Sequence, residues 1–255
     1  MPAYPTGQND PPDSLEAPAF GRSPSDFDIG MNVVVSASVL DAIDIGSIIG
    51  LDDDNHHHLA RVVRLRTDDH ITLTDGLGRW VGASVKANFM SAGLVGVTSA
   101  VHHVAEPEDV GVAFALTKGD KPETVVQKLT ELGVRRIIPI RAFRSVVRWD
   151  LEKADRNRVR LDAVARGALA QCRGAWLPVI EPIVDVVTLA QRVGVVRADR
   201  GGRPLGPTDR IIAIGPEGGW SPEERGILAE VVGLPGSVLR AETAAIIAAA
   251  LLVGR

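Results

Sequence analysis

The sequence predicts an α/β protein in two parts: a small strand-rich region, then a domain built on a mostly parallel sheet. Three observations carry this. From residue 112 onward, apolar strand-like runs alternate with helix-like stretches, the order that places helices on a parallel sheet. Ile211-Ile212-Ala213-Ile214 is a short continuous apolar run, the pattern of a strand covered on both faces. Between residues 31 and 104 the chain reads instead as strands joined by turns.

The bulk properties fit that division. A chain of 255 residues can hold one large domain or two small ones, and 45% apolar content supports a real core. No run of 18 apolar residues exists, so no membrane span is expected. The N-terminus lacks a basic region followed by an apolar one, so no secretory signal is expected either. The single cysteine, Cys172, excludes an internal disulfide framework and fits a reducing cytoplasm. The net charge of −4 argues against a nucleic-acid partner until its distribution is read. Residues 1–55 hold ten acidic side chains and one basic, a balance of −9, which leaves +5 for the remainder. Residues 112–160 hold twelve Lys/Arg against six Asp/Glu. Such a zone can serve as an electrostatic footprint for phosphates. The run from Lys153 to Arg160 equally fits a solvated helix face.

In chain order, residues 1–30 are rich in Pro, Ser, Asp and Gly, and predict a disordered or loosely packed extension. Val33-Val34-Val35 is the first strand candidate. Ile71 to Thr74, the turn Asp75-Gly76-Leu77-Gly78, and Trp80 to Val85 form a hairpin signature. Leu94 to Thr98 and Val101 to Val104 predict further strands, which gives a small β domain over 31–105. Between them His56 to Arg66 predicts a short basic amphipathic helix or turn. Its adjacent histidines point different ways and no partner completes a zinc spacing, so no metal site is expected. Glu106 to Asp109 reads as a linker, and the second domain spans 112–255. There, Val112 to Leu116 is a buried strand, and Pro122 to Leu132 a helix with Val125, Val126, Leu129 and Leu132 on one face, closed by Gly133. Ile137 to Ile140 is the next strand and Leu151 to Cys172 a long basic helix. Strands near Val179–Val184 and Val195–Ala198 lead to Ile211.

The Ile211 strand runs into Gly215-Pro216-Glu217-Gly218-Gly219-Trp220, then Ser221-Pro222-Glu223-Glu224. The glycines allow a ligand close to the main chain. Ser221 as N-cap, Pro222 at N1 and Glu224 at N3 make a capping box. A strand ending in glycines before a helix is where open α/β sheets bind ligands. Neither a dinucleotide fingerprint nor a Walker loop is present. Glu217 would repel a phosphate, so a cationic or zwitterionic ligand suits the loop better.

Further on lies Leu234-Pro235-Gly236-Ser237-Val238-Leu239-Arg240-Ala241-Glu242-Thr243-Ala244, which leads into an alanine-rich apolar helix. The two segments together resemble the SPOUT class of RNA methyltransferases and, within it, the RsmE family. That family carries Leu/Ile-Gly-Pro-Glu-Gly-Gly and then Leu-Gly-Pro-x-x-Leu-Arg-x-Glu-Thr-Ala; here Pro235 and Gly236 are exchanged. Lys118-Gly119-Asp120, Glu131-Leu132-Gly133-Val134, Ile137-Ile138-Pro139 and Arg144-Ser145-Val146 resemble the same pattern. So does His58-Leu59-Ala60-Arg61-Val62-Val63-Arg64, which is similar to the PUA-like β-barrel that begins RsmE proteins. Arg173-Gly174 is another exchanged pair, and Val195 to Ala198 lacks the histidine often found there.

The resemblance implies a SPOUT domain with a trefoil knot, an N-terminal PUA-like β-barrel, and a homodimer with the last helix near its interface. It implies S-adenosyl-L-methionine as cofactor and a uridine N3 in the 16S RNA of the small ribosomal subunit as target, in the cytoplasm. Cofactor contacts are carried over to Ile214, Gly215, Pro216, Glu217, Gly218, Gly219, Leu234, Gly236, Val238, Leu239 and Thr243. Uracil N3 must lose a proton before it attacks the methyl group. All six histidines precede residue 104, so Glu217, Glu242 and Glu131 are the candidate bases, with Arg240 or Arg144 to stabilise charge on a base oxygen. Arg61, Arg64, Arg66, Lys118 and Arg148 are candidate RNA contacts. The bland reading has Thr243 capping the last helix, with Arg240 and Glu242 paired beside it. Two other functions compete: a SPOUT methyltransferase for another RNA, and an RNA-binding assembly factor without catalysis.

Overall fold

In the computed structural model, which describes residues 31–147 and 149–255, the chain builds two sheets one after the other. The expected extension over 1–30 and the candidate RNA contact Arg148 lie outside the described residues. The first sheet holds β1 (Asn32–Val34), β2 (Ile48–Gly50), β3 (His70–Thr74), β4 (Arg79–Val85), β5 (Leu94–Val97) and β6 (His102–His103). Its order is β1-β3-β4-β5-β2, with β6 on β4, and the β1–β3 pair is parallel. Period-two alternation sends Ile71, Leu73, Val81, Ala83, Val85, Val95 and Val97 into one core. Short helices α1 (Ala37–Asp41), α2 (Asp53–His57) and α3 (Phe89–Ala92) interrupt the strands. Helix α2 is capped by Asp52, whose carboxylate accepts the Asn55 N–H at 2.8 Å. It widens into a π-helical turn over His58–Val63 that stops at Arg64 in the left-handed region, φ 61°. Leu59 and Ala60 bury the inner side of that turn, while Arg61, Arg64 and Arg66 stand exposed.

The second sheet holds β7 (Gly111–Ala115), β8 (Arg136–Arg141), β9 (Val179–Ile180), β10 (Val184–Asp185), β11 (Val195–Arg203), β12 (Ile211–Ile214) and β13 (Val231–Val232). Its order is β10-β8-β7-β12-β11-β13, with β9 on β8, and every pair is parallel. Helices α4 (Lys121–Glu131), α5 (Leu151–Cys172) and α8 (Ala241–Val253) share one core with Val112, Phe114 and Ile212. On the opposite face α6 (Val186–Ala190) and the segment around α7 (Pro222–Ile227) pack with Ala113, Ala115, Ala213 and Trp220. Both faces of β7 and β12 are thus covered, as their unbroken apolar runs require. Alanines 244, 245, 248 and 249 are buried along α8, and their small side chains let the helix lie close to the sheet. The chain leaves β7 for β8 on one side, and β12 later fills the other. That reversal opens a crevice at the carboxyl ends of β7 and β12.

The exchanged pair Arg173-Gly174 has a structural consequence. Arg173 ends α5 in the left-handed region, φ 57°, a conformation that favours glycine. Gly174 follows where a Cβ would stand 2.5 Å from Leu169 Cδ1. Just beyond, the β3–β4 turn docks on the segment that follows α5. The Gly78 N–H donates to the Ala175 carbonyl at 2.9 Å and the Leu177 N–H to the Gly76 carbonyl at 2.8 Å. The Trp176 indole N–H donates to the Val104 carbonyl at 3.2 Å, and the Arg135 guanidinium lies 4.8 Å over its ring. Gly78 has φ 92°, and a Cβ there would sit 2.4 Å from the Trp176 ring. Gly78→Ala therefore loosens this joint and destabilises the protein by about 1–3 kcal/mol in urea unfolding, from backbone strain and the ring clash together.

Candidate functional site

The loops after β7, β8, β12 and β13 meet at the carboxyl end of the second sheet. The loop after β12 is shaped by its glycines. Trp220 folds back over Gly215 so closely that a Cβ would be 2.9 Å from the indole, whose N–H reaches the Ala198 carbonyl at 3.4 Å. The Gly219 N–H closes a turn on the Pro216 carbonyl at 2.8 Å, with Gly219 at φ 71°. Glu217 and Gly218 form its exposed tip. Ile214 and Pro216 are buried beneath.

The capping box is present and does more than cap. Ser221 Oγ accepts the Glu224 N–H at 3.2 Å, and Glu224 Oε2 accepts the Ser221 N–H at 2.8 Å. The other carboxylate oxygen, Oε1, accepts the Phe143 N–H at 2.7 Å, 81 residues away in sequence. Glu224 is buried and joins the loop after β8 to the start of α7. Beside it, Arg144 Nη1 donates to the Gly218 carbonyl at 3.2 Å. Arg144 also draws the Glu223 carboxyl below the usual range, after the larger effect of hydrogen bonding at the helix start. Sequence reasoning named Glu224 only as a cap, because a tertiary acceptor leaves no local signature.

Lys121 is the second residue the sequence did not single out. Its ammonium lies 3.2 Å from Glu217 Oε1 and 3.6 Å from Glu242 Oε2. A lysine at the first position of α4 opposes the helix dipole, and the two carboxylates offset that cost. The only local hint is its place after Lys118-Gly119-Asp120 and before Pro122, at a helix start. Two carboxylates facing one ammonium leave a formal excess of one negative charge, which suits a cationic ligand.

The remaining candidates divide. Arg240 and Lys118 are exposed and form no ion pair with the described residues. Arg240 is the N-cap of α8 by backbone geometry, and its side chain caps nothing. Thr243 is therefore not the cap; it lies exposed within the first turn. Glu242 pairs with Lys121 and not with Arg240. Glu131 stands at the far end of α4, roughly 15 Å along the helix from Lys121, bonded to Lys128 at 2.8 Å. It is outside the site, since the chemistry gathers at the amino end of that helix. Gly236 has φ 100°, so the exchanged pair places glycine where the loop needs it. The main chain from Leu234 to Leu239 makes no hydrogen bond to the described residues, and Val238 is exposed. In place of the missing histidine, Arg197 is buried, with Asp199 Oδ2 at 3.8 Å. Among the described residues no group of three or more His, Cys, Asp or Glu is placed to hold a metal ion, and no helix is long and apolar enough to cross a membrane.

Comparison with known proteins matches this arrangement. The RNA methyltransferase domain family matches residues 104–253, and the RNA methyltransferase PUA domain family matches residues 51–88. The fold is that of the RNA methyltransferase class, with an N-terminal PUA domain. The ribosomal RNA small subunit methyltransferase E of Mycobacterium bovis is 31% identical over 80% of this chain and 86% of that protein. The protein of the same name from Bacillus subtilis is 31% identical over 74% and 82%. A structure from Legionella pneumophila, described as a methyltransferase in complex with the cofactor SAM, superposes with a TM-score of 0.74 at 26% identity, over 87% of this chain and 95% of that one. The chain belongs to the ribosomal RNA small subunit methyltransferase E family.

Removing the Glu224 carboxylate strands the Phe143 and Ser221 N–H groups. Glu224→Ala destabilises the protein by about 1–3 kcal/mol in thermal unfolding.

Proposed function

We propose that this protein transfers a methyl group from S-adenosyl-L-methionine to uridine N3 in the RNA of the small ribosomal subunit, as a cytoplasmic homodimer. The observation that carries this is the pair of loops, 215–219 and 234–239, that meet the carboxylates of Glu217 and Glu242 at one crevice of a family member. The Legionella structure with bound SAM supports the choice of cofactor.

The residues present fit that cofactor. Gly219 and Gly236, both at positive φ, shape the two loops, and the main chain from Leu234 to Leu239 makes no hydrogen bond to the described residues. When bound, the cofactor supplies an electrophilic methyl group on a positive sulfonium. The chain's own tasks are to orient the partners and to manage a proton and a charge. Main-chain groups of Leu234 to Leu239 read the adenine. Ile214, Gly215 and Pro216 form the floor, and Thr243 lines the far side. Glu217 or Glu242 accepts the uracil N3 proton, and Lys121 holds both carboxylates toward the crevice. Arg240, without a competing ion pair, stabilises the charge that develops on the base oxygen. Arg61, Arg64, Arg66, Lys118 and Arg148 contact phosphates. The homodimer rests on the family resemblance and on the apolar surface of α8, where Leu251 remains partly exposed.

The test is methyl transfer from labelled S-adenosyl-L-methionine to small subunits that lack the modification, with the nucleosides digested and identified by mass. N3-methyluridine is the expected product; another methylated nucleoside, or none, overturns the reading. Arg240→Ala lowers kcat roughly 100-fold or more while cofactor affinity, measured by calorimetry, is retained.

A further inference from the structure

Phe143 is the side chain that the function above leaves unexplained. It is 74% exposed, yet its neighbours Ala142 and Ser145 are buried. The Ser145 N–H donates to the Ala142 carbonyl at 3.1 Å, closing a turn whose two central residues are Phe143 and Arg144. Both central residues are pinned. The Phe143 N–H is held by the buried Glu224 carboxylate at 2.7 Å, and Arg144 by the Gly218 carbonyl at 3.2 Å. The Cα–Cβ bond of Phe143 is thereby fixed in direction, with the ring directed to solvent at the rim of the crevice. A mobile loop would let such a ring fold back onto apolar surface; this turn prevents it. Arg144 in the same turn, Arg141 at the end of β8 and Lys118 on the loop after β7 are exposed cations at this end of the sheet, with Asp185 beside Arg141 and Glu223 beside Arg144, and Val146 extends the apolar surface.

We propose that Phe143 is a stacking platform for an RNA nucleobase beside the reacting uridine. This rests on the RNA methyltransferase reading and adds a specific contact to it. A phenyl ring has only two side-chain torsions, so it loses little freedom on stacking, and the pinned turn has already fixed the backbone. Arg144 and Lys118 attract the phosphates on either side, which brings bases rather than a protein surface to the ring. A stack of this kind carries no counterion release, unlike a phosphate contact.

The experiment compares wild type, Phe143→Ala and Phe143→Trp for binding of labelled oligouridylate across a salt series, and for KM and kcat on small ribosomal subunits. Phe143→Ala is expected to weaken oligouridylate binding roughly ten-fold or more with an unchanged salt slope. KM should rise and Phe143→Trp should restore binding, while cofactor affinity stays constant in all three. Equal affinity of wild type and Phe143→Ala for oligouridylate overturns the proposal and leaves the methyltransferase reading standing. Failure of wild type to bind oligouridylate overturns the stacking role alone, whereas failure to methylate subunits overturns the methyltransferase reading and the stacking role with it. Loss of self-association by Phe143→Ala in sedimentation, with RNA affinity unaltered, assigns the ring to an interface between copies and overturns the stacking role.

Discussion

The Glu224 carboxylate is the constraint on which the site depends. Its two oxygens serve two different loops, the start of α7 and the turn after β8. Without it the glycine loop and the Phe143–Arg144 turn would be separate mobile segments at the end of the sheet. A buried carboxylate is tolerable only when its oxygens are hydrogen-bonded, and here each oxygen accepts one main-chain N–H, Oε2 from Ser221 and Oε1 from Phe143. Trp220 acts in the same sense from the other side, packing on Gly215 and bonding the Ala198 carbonyl within β11. The loops are thus ordered by the protein itself, which lowers the cost of organising them around a bound molecule.

Charge is arranged around that frame by similar means. Lys121, Glu217 and Glu242 come from three elements, α4, the glycine loop and α8, and their attraction draws those elements together at the crevice. Lys121 and Glu217 are both partly exposed, so the pair contributes little to stability and serves mainly to set direction. Arg240 is left exposed because Glu242 is committed to Lys121. Arg240, which forms no ion pair with the described residues, and the carboxylates of Glu217 and Glu242 give the crevice two kinds of electrostatics. One side suits a cation, and the other suits a developing negative charge.

The sequence was informative where structure is local. The capping box at Ser221, the closure of α4 by Gly133, the β3–β4 hairpin and the unbroken apolar run of β12 each leave their signal within a few residues, and each is found. Short elements such as α6 and β13 were invisible, since two to five residues carry too little periodicity. Within the site, the glycine loop was legible because three glycines between a strand and a capped helix are themselves the signal. Lys121 and Glu224 were not, because their partners lie 96 and 81 residues away and nothing local marks such a pairing. Glu131, a candidate base because no histidine follows residue 104, stands apart from Glu217 and Glu242, since the length of α4 separates it from Lys121.

The long helix α5 relates the site to the joint between the two domains. It begins at Asp150, just after the pinned turn, and ends at Arg173, just before Trp176. Its 22 residues span about 33 Å, so the joint lies at the opposite end of the sheet from the crevice. The α5 end is built tightly: Arg173 in the left-handed region, Gly174 against Leu169, and Trp176 clamped between Arg135 and Gly78. A strained terminus of this kind is retained where the surrounding contacts fix it. The basic turn of Arg61, Arg64 and Arg66 is carried by the domain anchored at that far end. Contacts to phosphates there and to a base at the crevice would then fall on distant parts of one RNA. A folded RNA can satisfy both at once, and a short strand only one, so rigidity at the joint favours a structured target over an isolated oligonucleotide.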